Sequence, residues 1–153
     1  MLEIHLHSQS FRPGEPVRAT IRLALAKPVK ARSLAATLEC FEKRRVEVQK
    51  VLDQYELDRR KELGIPPAGN MITTTEERSS TIFSREQVIS GEMDYSRGEY
   101  RVSFPLPADA KPTSREFGHD GKIHVWTLRA KLDVPLAIDE NAEKEVIVSG
   151  LSF

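Results

Sequence analysis

The sequence predicts an all-β protein: an immunoglobulin-like antiparallel β-sandwich of two sheets, with one short surface helix near residues 54–63. Three observations carry this reading. Apolar residues recur at every second position through most of the chain, the period of a strand with one buried face. Proline, glycine, asparagine and aspartate fall between these runs, where they bend the backbone. One segment breaks the alternation with the signature of a helix N-terminus.

The first run alternates Leu2, Ile4 and Leu6, read as core-facing, with Glu3, His5 and His7; a turn around Pro13-Gly14 follows. Val17, Ala19, Ile21, Leu23 and Leu25 then alternate with Arg18, Thr20 and Arg22, and Lys27-Pro28 is expected to end this strand because proline lacks the N–H a ladder needs. Leu34, Ala36, Leu38 and Cys40 repeat the pattern. Asp53 stands three residues before Glu56, with Arg59, Arg60 and Lys61 towards the other end and Gly64 and Pro66-Pro67 as a stop; this predicts the helix. Its apolar content is only Tyr55, Leu57 and Leu63, so it should lie on the surface and cap one end of a sheet. The competing reading of the same region is a long solvated hairpin arm, in which Val46 and Val48 pair with residues 71–75 beneath an irregular tip. Residues 68–80 read as an edge strand or a mobile loop. Beyond them, Tyr100, Val102, Phe104 and Leu106 form a strand that frays at Pro105 and Pro107. Trp126, Leu128, Ala130 and Leu132 form another, ended by Pro135. Val146, Ile147 and Val148 make the last, after a turn at Asp139-Glu140-Asn141. Seven to nine short strands in all point to a sandwich.

The length of 153 residues fits one domain, taken as 1–153, with no internal repeat or dividing linker. Lys plus Arg and Asp plus Glu both number 23, so no net field draws in nucleic acid. The 39% hydrophobic residues suffice for a core, and no run approaches the length of a spanning helix. Glu3, His5 and His7 spoil the start of any signal peptide. The expectation is a cytoplasmic protein without an integral membrane segment, and the lone Cys40, between apolar neighbours, is read as a small core residue.

Enzymatic and metal chemistries find little purchase. Gly118-His119-Asp120-Gly121-Lys122 suggests a phosphate loop, but Glu116 stands where that motif needs its first glycine and Ile123 where it needs a hydroxyl. The candidates for metal ligation are His5, His7, His119 and His124; none has a ligand spacing, and solvated histidines are expected instead. Ser114 reads as a turn residue, Glu76-Glu77 as a solvated face, and Lys43-Arg44-Arg45 as mixed-charge surface beside Glu42 and Glu47. No cofactor is expected.

Four stretches, in order, resemble the N-terminal lobe of the arrestin-like superfamily, which also takes in the retromer subunit of arrestin fold and bacterial sporulation-control relatives. They are Phe11-Arg12-Pro13-Gly14-Glu15-Pro16-Val17; Gly98-Glu99-Tyr100-Arg101-Val102-Ser103-Phe104-Pro105-Leu106-Pro107; Pro112-Thr113-Ser114; and the run from Gly121 through Ile123, Trp126, Leu128, Ala130 and Leu132 to Asp133-Val134-Pro135. Val102 replaces the usual Phe, and Trp126 stands one place from the family's Tyr. Gly14 and Gly98 are read as allowing a positive φ at strand starts. Glu3, His5 and His7 occupy the strand where receptor-binding arrestins carry paired lysines, so phosphate sensing is not implied. The resemblance implies a non-enzymatic adaptor or scaffold working through protein contacts. Such lobes usually come in pairs; a single one exposes surface, and Thr73-Thr74-Thr75 or the apolar Leu151-Ser152-Phe153 could pair copies into a homodimer.

Overall fold

A computed structural model describes residues 1–51, 53–64, 71–117 and 120–150. The strands are β1 (Leu2–Leu6), β2 (Pro16–Ala31), β3 (Ser33–Val51), β4 (Met71–Ser90), β5 (Met93–Pro105), β6 (Lys122–Asp133) and β7 (Glu140–Val146), and the helix is α1 (Gln54–Glu62). Two antiparallel sheets result, ordered β1-β2-β5 and β4-β3-β6-β7. The alternation read from the sequence is what packs them. Val17, Ala19, Ile21 and Leu23 from one sheet and Leu34, Ala36, Leu38, Cys40, Trp126, Leu128, Ala130 and Leu132 from the other are all buried. Leu38 faces Leu128 directly across the β3–β6 ladder, at the centre of this layer. Trp126 is buried yet satisfied, since its indole N–H donates to the Lys111 carbonyl at 2.7 Å.

Several expectations need correction. Pro28 does not end β2, which continues to Ala31; the β2–β5 register shifts between Ala24 and Val29, so the missing N–H falls in an irregular stretch. Leu6 is only half-buried. Gly14 does take a positive φ of 84°, but Gly98 does not, and lies within β5. What singles out Gly98 is the Tyr100 ring over it, 3.0 Å from where a Cβ would stand. The seven strands described lie within the expected seven to nine, but β2, β3 and β4 are longer than expected and continue through register shifts. β7 begins at Glu140, inside the predicted turn.

The region after Cys40 combines both competing readings. β6 pairs with β3 only as far as Arg44, so among the described residues, 45–51 have β4 as their one partner strand and form a two-stranded arm. Val46 faces Glu76 and Val48 faces Thr74, as the arm reading required. The helix sits at the tip of this arm. The Asp53 carboxylate caps it by accepting the Glu56 N–H at 2.8 Å, and Gly64 follows its end with φ 68°. α1 buries no residue, so it does not cap a sheet as expected. The proposed stop at Pro66-Pro67 lies outside the described residues.

Candidate functional site

The histidines do not converge. His5 Nε2 lies 3.2 Å from Glu3 Oε2 on β1, and His7 Nε2, just past the end of β1, lies 2.7 Å from Thr20 Oγ1; both histidines are exposed. His124 is not solvated as expected: it is 7% exposed, with Nε2 3.0 Å from Glu42 Oε2. β6 and β3 place these two directly opposite each other, near the last rungs before the arm. Arg44 donates to the other oxygen of Glu42 at 2.8 Å, and the His124 backbone N–H donates to Ser114 Oγ at 3.0 Å. The Arg44 guanidinium, and then His124, hold the Glu42 carboxyl below the usual carboxylate range against the opposing effect of burial. Each Glu42 oxygen thus already has a protein partner, Arg44 on one and His124 on the other. His119 lies outside the described residues. Among the described residues no group of three or more His, Cys, Asp or Glu side chains could hold a metal.

Cys40 is no better placed for chemistry. Cys40 is buried, and desolvation, reinforced by Glu42, pushes its thiol up to about 12, so no thiolate forms near neutral pH. A depression of about 740 Å³ on the outer face of the four-stranded sheet is lined by Thr37, Glu39, Arg129, Lys131 and Glu143 among others. Its cations are already engaged by acids: Arg129 lies 4.0 Å from Glu39 and 3.9 Å from Glu143, and Lys131 3.2 Å from Asp139 beside the depression.

A long unpaired edge remains among the described residues, on one of the four strands that end the two sheets. β4 ends its sheet, and among the described residues no strand pairs with its outer side. Register shifts between Leu34 and Ala35 and between Cys40 and Phe41 leave Ile89 and Ile82 as extra residues on β4, which break the edge as bulges do. Ile82 and Val88 remain exposed nearby. From Thr81 back to Met71 the β3–β4 ladder is regular, so this stretch presents an unbroken row of free N–H and C=O groups. Residues 73–81 carry exposed or half-buried Thr, Ser, Glu and Arg side chains. Arg78 stands opposite Arg44, and Arg44 opposite Lys122, a row of three cations across one face that ends at the free edge.

No family model and no curated protein matches the chain. The sandwich does match the crystal structure of Spo0M, the sporulation control protein from Bacillus subtilis, with a TM-score of 0.60 at 14% identity. The match covers 98% of this chain and 49% of that one, so the chain spans about half the length of that protein. The fold is an arrestin-like β-sandwich.

The landmarks of the arrestin-like resemblance now have places. Phe11 is buried and bridges to Val148, which clips the first turn to the end of the chain described. Thr113 and Ser114 hold the crossover, their backbone N–H groups donating to the carbonyls of Val148 and His124. Trp126, rather than its neighbour Val125, points into the core. Sequence reasoning placed an edge near Thr73-Thr74-Thr75 but missed residues 81–90. An edge strand with both faces half wet has little alternation to read; Phe83 and Ile89 pack against the core, the Phe83 ring 5.3 Å from that of Trp126. The Glu42–His124 pair was also missed. Glu42 continues the inward series after Cys40, which was the available signal.

Proposed function

We propose that the chain is a non-enzymatic, cytoplasmic protein-interaction module, an adaptor or scaffold taken as one domain over 1–153, that receives a partner along the free edge of β4. The observation that carries this reading is the regular, exposed stretch at 73–81, which runs from the arm (73–77) onto the edge of the sheet (78–81). Strand addition draws affinity from main-chain hydrogen bonds and specificity from alternate side chains, and it needs no cofactor. A buried, unreactive Cys40 suits a reducing compartment. Equal numbers of acidic and basic residues favour a protein over a nucleic acid as partner. The regulatory role in the name of Spo0M is in keeping with an adaptor, though that likeness concerns fold.

The test compares proteins captured from native lysate by the unaltered chain with those captured by Thr75→Lys/Ser79→Lys, whose two new cations blunt the edge without touching the core. Partners held by the first and lost by the second support the reading. Identical captures would overturn it.

A further inference from the structure

We propose that the partner at this edge is a second copy of the chain, with the two β4 strands antiparallel and the two-fold axis at Glu77. This rests on the reading of β4 as the interaction edge and adds the identity of the partner and the register. The bulge at Ile82 closes the regular ladder at Thr81, and a register centred on Glu77 spans 73–81 from each copy. Each residue then meets one of the same parity, so outward-facing N–H and C=O groups of one copy meet those of the other.

The opposing side chains are complementary in this register. Thr73 meets Thr81, Thr74 meets Ser80 and Thr75 meets Ser79, hydroxyl pairs of the kind that stabilise adjacent strands. Glu76 meets Arg78 twice, once on each side of the axis. Within one copy these two side chains are only 4.0 Å apart and both more than half exposed, so they are available to exchange partners. The row Lys122, Arg44, Arg78 ends at the edge without an acid directly beyond it, and the second copy's Glu76 completes it. Glu77 meets its own copy, but each Glu77 stands opposite Arg45 of its own β3, so the row reads cation, acid, acid, cation. Moving the axis to Glu76 sets Arg78 opposite Thr74, and moving it to Arg78 sets Arg78 opposite itself, so both leave Arg78 without an opposing acid. The result is a closed, isologous contact that joins two four-stranded sheets into one.

The experiment is sedimentation of purified protein with charge-swapped variants. Arg78→Glu sets two acids opposite each other on both sides of the axis, and Glu76→Arg sets two cations there. Each variant alone should have a dimer dissociation constant about tenfold or more above that of the unaltered chain. An equimolar mixture of the two should form a heterodimer, because each then supplies what the other lacks, and the double swap Glu76→Arg/Arg78→Glu should restore the homodimer. Glu77→Gln should tighten the dimer by removing the acid pair on the axis. Circular dichroism confirms that each variant is folded. Single variants that remain as dimeric as the unaltered chain, or a mixture that fails to associate, would overturn the register. A monomeric unaltered chain at high micromolar concentration would overturn self-pairing, yet leave the edge for another protein if Thr75→Lys/Ser79→Lys still loses captured partners. Dimers that survive Thr75→Lys/Ser79→Lys would overturn β4 as the contact.

Discussion

The body of the sandwich and the arm are built from the same two strands, β3 and β4, and owe their order to different forces. Up to Arg44, β3 lies between β4 and β6, and its inward side chains, Leu34, Ala36, Leu38 and Cys40, are fully or almost fully buried against the opposite sheet. Beyond Arg44 only the β3–β4 ladder continues, Val46 and Val48 are half-buried, and the helix at the tip buries nothing. Two-stranded ribbons are marginal in water. The body therefore holds the stability, while the arm presents main-chain groups that a neighbour can satisfy. Glu42 and His124 mark the boundary, a buried pair on nearly the last rungs that three strands share.

The largest difference between the regions should appear on truncation. Leu38→Ala or Leu128→Ala creates a cavity where two fully buried leucines face each other, and each should cost about 2–5 kcal/mol, measured by denaturant unfolding. A loss below about 1 kcal/mol for both would break the comparison. Cys40 sharpens it by chemistry. Its buried, protonated thiol should resist alkylation at neutral pH in the native protein and react fully in denaturant, as followed by mass spectrometry.

The boundary itself should respond to acid. The folded carboxyl of Glu42 lies below its usual 4.5, so ionised Glu42 favours the folded state. That stability is present above about 4.5 and is lost as pH falls through the folded value. Glu42→Gln should therefore lower stability near neutral pH and flatten its fall below 4.5; an unchanged acid limb would contradict the assignment. The smallest effect belongs to the arm. Asp53→Ala removes the helix cap, worth about 1 kcal/mol locally, yet global melting should not move, because α1 buries nothing in the body. Hydrogen exchange at residues 56–62 should accelerate while that of β6 stays unchanged.

The same division governed what could be read from the residues. Where strands bury one face, as in β2 and β6, alternation named the core residue by residue, since a one-place slip would turn every apolar side chain to water. The Asp53 cap and the glycine after the helix were equally legible, because both act within a few residues of chain. Pro28 misled, because the cost of its missing N–H depends on whether a neighbouring strand asks for a bond there, and the register shift removed the demand. His124 misled for a related reason: its burial was decided by Glu42, 82 positions away in sequence, on a strand whose pairing no local pattern states.

The sequence by itself determined the class of fold, the buried faces of the central strands and the helix cap, because periodicity and capping are local consequences of side-chain direction and backbone hydrogen bonding. The tertiary structure alone decided that β4 ends its sheet, where bulges interrupt that edge, and which charges line up across it. Those properties arise from pairing between distant segments, and the residues at 73–81 are polar on both faces in a way that fits a loop as well as a strand. Only the ladder with β3 makes them an edge, and only the bulge at Ile82 gives that edge its limit.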